Sequence, residues 1–260
     1  MSRPLLSTLV VVHNEEQRLD ACLERLAFAD EIVVVLDKCT DGSRRIAERY
    51  TARLLEGAWE IEGERRNAGI EFCDGEWILE VDADEWITPE LAQEVRLLAK
   101  EGNADIHAIP VDNYVGGHYI RHGWGGGGFG MVSYPGLFRK GVKVWGPQRV
   151  HPHLVVSGRQ GAMLKNPVTH HIDDSISAML MRLDRYTTWR ARDLCDEGKP
   201  GALPNMVRKV FSRFWKCWVV RKAYREGGYG MVMGICSALY PLLAHLKATL
   251  EEMPAREARK

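Results

Sequence analysis

The sequence predicts an α/β protein in which a mainly parallel sheet is flanked by helices and followed by a C-terminal helical appendage. Three observations carry this expectation. Apolar, β-branched runs of strand length alternate with helix-patterned segments through the first hundred residues, as βαβ units require. Three of those runs end in polar clusters, His13-Asn14-Glu15, Asp37 and Asp82-Ala83-Asp84. Open α/β sheets bind ligands at the carboxyl ends of their strands. From about Ser175 the apolar spacing becomes helical.

Taken in order, Leu5 to Val12 is a continuous apolar run, as expected of a strand buried on both faces. Asn14 to Phe28 carries Leu19, Cys22, Leu23 and Leu26 at helical spacing. Glu31 to Leu36 is a second strand, and Asp41 or Ser43 can cap a helix running to about Tyr50. Arg53 to Leu55 makes a short third strand, Glu64 to Cys73 a helix, and Trp77 to Val81 a fourth strand. Thr88-Pro89-Glu90 starts a helix: a hydroxyl cap, proline in the first turn, then an acid. Residues 105–170 mix short strand-like pieces with Gly, Pro and aromatics, and read as an irregular, mobile segment over the site.

Composition bounds the function. Of 260 residues 45% are apolar and 27% charged, with zero formal net charge and a pI near 7.1. That balance suits a globular fold and argues against a nucleic-acid partner, which needs a broad basic field. The six cysteines lack metal-site spacing, so reduced thiols in a cytoplasmic protein are expected. Met1 to Ser7 holds no signal-peptide pattern, and no uninterrupted apolar stretch reaches about 20 residues, so neither export nor a clean membrane span is expected.

Asp82-Ala83-Asp84-Glu85 is the most informative motif. Carboxylates crowded at a strand end repel one another unless a cation or hydrogen-bond donors compensate. Oxygen ligands of this kind suit Mg2+ or Mn2+ held together with phosphate oxygens. The plainer alternative is a solvated acidic loop whose charges favour the next helix N-terminus. Asp37 can accept from a base or ribose, while Asp41-Gly42 is ordinary turn chemistry. Arg65 and Arg66 could face a diphosphate or merely line a solvated helix. His151-Pro152-His153 and His170-His171 lack the supporting ligands of a zinc site.

Together these segments resemble the inverting family 2 glycosyltransferases of GT-A fold, in particular the lipopolysaccharide inner-core β-1,4-glucosyltransferase branch. The resemblance rests on Val11 to Glu16, Phe28 to Val35, Asp37 to Ser43, Arg66 to Ile70, Gly75 to Glu85 and Ile87 to Leu91. It implies a catalytic domain over 1–175, with a nucleotide-sugar half at 1–104 and an acceptor half at 105–175. Residues 176–260 would form a helical, membrane-associated region. By position it places Val12, His13, Asn14 and Glu15 in the nucleotide pocket and Asp37 at uracil or ribose. Arg66 falls near the donor phosphates, and Asp82, Ala83 and Asp84 at sugar and metal. A UDP-sugar donor, a glycolipid or lipid-linked acceptor and a place at the cytoplasmic face of the bacterial inner membrane follow from the same resemblance. Pro152 replaces the family's glutamate after the Val-His pair, so the base that inverting transfer needs is left open among Asp112, His151 and Glu85.

Met206 to Arg225 holds seven Lys or Arg and no acid, interleaved with aromatics, and predicts a basic amphipathic helix lying on an anionic membrane. The apolar Gly227 to Leu246 would dock beside it or dip into lipid. The alternatives to glycoside formation are transfer to a polyprenyl phosphate, which needs no strong base, and a non-catalytic nucleotide-binding relative.

Overall fold

A computed structural model describes residues 4–124, 132–149, 152–198 and 201–251. In chain order it contains β1 (Leu6–Val12), α1 (Leu19–Glu24), β2 (Glu31–Asp37), α2 (Ser43–Ala47), β3 (Leu54–Gly57), α3 (Glu62–Phe72), β4 (Trp77–Asp82), β5 (Glu85–Trp86) and α4 (Pro89–Glu101). There follow β6 (Ile106–Val115), β7 (His118–Tyr119), β8 (Ser133–Arg139), β9 (Lys143–Trp145), β10 (Leu154–Val156), β11 (Val168–Asp173), α5 (Ile176–Asp196), α6 (Leu203–Trp215) and α7 (Gly227–Leu250). The chain divides into two compact units, the first Met1–Asp112, Val132–Gln148 and Pro152–His170, the second Asn113–Met131, Arg149–His151 and His171–Lys260.

In the first unit the strands run in the order β3-β2-β1-β4-β8-β6-β11-β5. β1 is parallel to β2 and to β4, and β2 is parallel to β3. Beyond β4 the pairing turns antiparallel, at β4–β8 and again at β8–β6. Every residue of β1 is buried, because helices cover both of its faces. Leu6, Val10 and Val12 join α1 and α4 residues such as Leu23 and Leu91 in one core; Leu9 and Val11 join Ile70 of α3 in the other. At α3 only a glycine permits this approach, since a Cβ on Gly69 would stand 2.6 Å from Leu9 Cδ1 and 2.8 Å from Val35 Cγ2. The start of α4 follows expectation: Thr88 Oγ1 accepts from Leu91 N at 3.2 Å. Gly102, at φ +64°, closes the helix in the left-handed region.

Two expectations change in this unit. The helix read from Asn14 begins only at Leu19, because residues 14–16 are spent on the neighbouring loop. Asn14 sits at φ +58°, its Oδ1 accepts from Thr40 N at 2.8 Å, and Glu16 Oε2 accepts from Gly42 N at 2.7 Å. The 105–170 stretch is not an irregular cover, for β6, β8 and β11 are strands of the main sheet.

The second unit is built on α5, α6 and α7, with α7 packed against both of the others. The expected boundary near residue 175 differs from the observed division for a packing reason. Val115, Ile120, Trp124 and Ile172 share one core with Met179, Cys217, Ala223 and Met233, which draws earlier segments into this unit. The basic stretch is not one helix: α6 ends at Trp215, a π-helical turn spans Lys216–Val220, and a 3-10 turn spans Ala223–Glu226. By length and composition alone, Ala223–Leu250 is long and apolar enough to cross a membrane. Half of its apolar window is nevertheless buried, with Met233, Cys236 and Tyr240 facing the protein.

Candidate active site

Strand register brings the polar clusters to one edge. Val11 of β1 lies opposite Asp82 of β4, and Val12 lies opposite Leu36, the residue before Asp37. His13, Asn14, Asp37 and Asp82 therefore leave the parallel strands side by side, as the topology rule requires. Hydrogen bonds fix the loops there. His13 Nδ1 pairs with the Asp37 carbonyl oxygen at 2.7 Å, and Glu15 N donates to Ser43 Oγ at 2.9 Å. The His13 and Asn14 side chains are exposed, Glu15 is half-buried, and Val12 is buried beneath them.

Asp37 is buried, and its carboxylate is used twice within the protein. Oδ1 accepts from Trp59 N at 2.9 Å, and Oδ2 pairs with Arg65 at 3.0 Å. Arg65 thus stands beside the residue expected to meet the nucleoside. Arg66, expected near the donor phosphates, is held by three carboxylates. Its guanidinium meets Glu62 at 2.9 Å, Glu80 at 2.7 Å and Asp82 at 2.9 Å. It also lies over the Trp145 ring, 5.2 Å from the centroid.

Behind Arg66 runs a buried chain of charge that the sequence reading missed. Lys143 of β9 donates from Nζ to Glu80 Oε2 at 2.6 Å and to the Pro135 carbonyl at 2.9 Å. Burial alone would raise the Glu80 carboxyl, but Lys143 and Arg66 outweigh it and hold the group down at about 2. Burial lowers the Lys143 ammonium and Glu80 opposes that fall.

The acidic turn after β4 splits its carboxylates by environment. Loss of solvent raises Asp82, with Arg66 opposing and Asp84 adding to the rise. Asp84 is lowered: burial pushes up, but His170 and then Arg18 outweigh it. Asp84 Oδ2 lies 3.4 Å from His170 Nε2 and 3.7 Å from Arg18. The strand ladder explains His170, whose partner across β11–β5 is Glu85. Burial would lower the His170 imidazole, yet the Asp84 charge lifts it to about 9. Ala83 is buried, which leaves the two aspartates as the polar positions of the turn.

Glu85 faces inward. Its Oε2 accepts from Asp82 N at 3.0 Å and from the Tyr134 hydroxyl at 2.9 Å, and burial, reinforced by Asp82, raises it to about 8. A carboxyl so held braces the turn from below. Asp112 is half-buried on β6. His151 lies outside the described residues, and Pro152 beside it is half-buried.

For a cation, the described residues hold no cluster of three or more His, Cys, Asp or Glu side chains at ligating geometry. The fit is instead that of a shared site. Asp84 hydrogen-bonds to His170 and Asp82 stands two residues before it, so the two aspartates would be the protein ligands, completed by phosphate oxygens as Mg2+ requires.

A sheet with a parallel half, carboxylates at its strand ends and cations beside them defines an α/β protein with its polar site at the strand edge where such sheets bind ligands. The Glycosyl transferase family 2 model matches residues 7–179, and the chain belongs to that family. The lipopolysaccharide core biosynthesis glycosyltransferase LpsC of Rhizobium meliloti is 23% identical over 252 residues, covering 93% of this chain and 91% of that protein. An uncharacterized glycosyltransferase of Rickettsia bellii is 29% identical over 246 residues, covering 87% of this chain and 80% of its own length. Among solved structures, S. aureus TarS 1-349 in complex with UDP aligns over 97% of this chain and 94% of that chain, at 14% identity and a TM-score of 0.49.

Proposed function

We propose that this chain is an inverting hexosyltransferase that takes glucose from UDP-glucose and passes it to a lipopolysaccharide-core or related glycolipid acceptor. It would use Mg2+ or Mn2+ and work at the cytoplasmic face of the bacterial inner membrane. The observation that carries the reading is the meeting of Asp82, Asp84, Arg18 and His170 at the strand edge that also bears His13 and Asp37. Similarity to LpsC supports the acceptor class.

In this reading Val12, His13, Asn14 and Glu15 line the nucleotide pocket, and Asp37 holds Arg65 beside it. A cation held by Asp84 and Asp82 would supply charge neutralisation for the departing diphosphate. An acceptor hydroxyl oxygen attacks the anomeric carbon from the face opposite the diphosphate. The new C–O bond forms as the bond to UDP breaks, and the hydroxyl proton passes to a base. We place Asp112 ahead of Glu85 in that role, since Glu85 is occupied under the turn. Transfer to a polyprenyl phosphate stays as a second reading, favoured by Pro152 where the family carries glutamate. A sugar-phosphate lipid as product would select it over a glycoside.

Thermal unfolding with UDP, with and without Mn2+, tests the core of the proposal. Ligand at about a hundred times its dissociation constant adds ~2.7 kcal/mol to the folded state. We expect wild type to gain a Mn2+-dependent shift and Asp84→Ala to lose most of it, with transfer falling at least about a hundredfold. Equal Mn2+-dependent shifts in the two proteins would remove Asp84 from the metal site.

A further inference from the structure

The feature of the second unit that the transfer chemistry leaves unused is the outer side of α6. None of the described α6 residues is buried. Leu203, Val207, Phe211 and Trp215 follow one another at four-residue spacing, and Val219 continues the series in the π-helical turn. Residues four apart share a helix face. Each of the five is exposed, Phe211 by 73% and Trp215 by 62%. The adjoining side is occupied: Phe214 packs on Gly234 of α7, and Arg213 lies over the Tyr240 ring. The helix thus already has its packed side, and the exposed run of large apolar groups beyond it marks an interaction surface.

Charge identifies the occupant. Residues 206–225 carry Arg208, Lys209, Arg213, Lys216, Arg221, Lys222 and Arg225 with no acid among them, in a chain whose formal net charge is zero. A second copy meeting this face across a two-fold axis would set like charge against like. A peptide groove partner would need acids beside apolar anchors over the whole stripe. A bilayer with anionic headgroups supplies both at once, with apolar depth for Phe211 and Trp215 and negative charge for the flanking lysines and arginines.

We infer that the outer face of α6, through Leu203, Val207, Phe211 and Trp215 and the basic residues beside them, docks flat on an anionic lipid surface. The contact is interfacial and needs no insertion of α7, whose buried residues stay packed on α5 and α6. It is independent of the donor chemistry, so its failure leaves the glycosyl-transfer reading untouched.

Flotation of the full chain with vesicles is the test, comparing phosphatidylglycerol–phosphatidylethanolamine with phosphatidylcholine alone. Wild type should float with the first and not the second, and 0.5 M salt should release a large part of it. Phe211→Ser/Trp215→Ser should lower partitioning about tenfold or more, given the apolar area each ring withdraws from water. Lys209→Glu/Lys216→Glu, which keeps the stripe intact, should lower it about as far on anionic vesicles. Circular dichroism and elution volume check that each variant is folded, and the charge variant decides alone if the apolar one is not. Failure of wild type to float, equal flotation on both vesicle types, or wild-type flotation by the charge variant would overturn the proposal. So would a concentration-dependent dimer in wild type that the Phe211→Ser/Trp215→Ser change dissolves.

Discussion

Lys143 is the residue that most changes how the site is understood. An ammonium with 1% of its side chain exposed is rare unless paired, and here its pair, Glu80, is also the anchor of Arg66, which in turn holds Asp82. Removing one partner of a buried ion pair leaves the other charge uncompensated, at a cost of about 3–5 kcal/mol. Lys143→Met should therefore lower stability by about that much in urea unfolding. Lys143→Met combined with Glu80→Gln should recover part of it, because the buried carboxylate that Arg66 alone would otherwise balance is gone. Equal losses in the single and double variants would mean the chain is not energetically linked. At this scale the sequence showed Asp82, Ala83, Asp84, Asp37 and His13, all of which close apolar strands. It did not show Lys143, which lies 63 residues from Glu80 on a three-residue strand. His170 was visible only as one of a histidine pair, since β11–β5 pairing is what delivers it to Asp84. Glu80 did leave a signal, as an acid inside the apolar run Trp77 to Val81 that only a buried counter-charge can tolerate.

Elements of the parallel half were readable because strands buried on both faces are continuous apolar runs, as β1, β2 and β4 are. The strands on the other side of β4 obey a different rule. β6 alternates buried and half-buried positions, and both it and β8 contain proline. That pattern, interrupted by Pro110, Pro135 and Gly136, resembles loop composition, and the antiparallel part of the sheet was hidden by it. The π-helical turn after Trp215 likewise leaves no mark in a stretch whose composition is helical throughout. Helix–sheet spacing, in contrast, is written in a single residue. With Leu9 and Val35 already within contact of where a Cβ would be, Gly69→Val would force α3 off β1 and β2. Overpacking of this kind costs about 1–3 kcal/mol. The variant should unfold at correspondingly lower denaturant with an unchanged slope. A value within about 0.5 kcal/mol of wild type would show that α3 can shift freely.

Across the whole molecule, two carboxylates of the first unit tie together segments far apart in the chain. Asp30 accepts from Leu5 N and Leu6 N at 3.0 and 2.9 Å and from Arg96 of α4 at 2.6 Å. Glu94 of α4 accepts from Lys165 N at 2.8 Å, from Asn166 N at 3.0 Å and from the Asn166 amide at 2.7 Å. Burial pushes both groups up, but these donors outweigh it and both sit below their ordinary values. The sign of the consequence is fixed by linkage. A carboxylate whose folded pKa is depressed contributes stability that is complete above its unfolded value, about 4 for either type. That contribution is lost as pH falls through the lower, folded value. Wild-type melting temperature should therefore fall as pH drops below about 4.5, where protonation begins to break the ties between the N-terminal strand, α4 and the segment before β11. Glu94→Gln and Asp30→Asn should each start lower at pH 6, by about 1 kcal/mol, and lose less on acidification, so that their curves approach wild type as pH falls below the unfolded values of about 4. Curves that stay parallel from pH 6 to pH 3 would show that neither carboxylate carries the acid sensitivity of the fold.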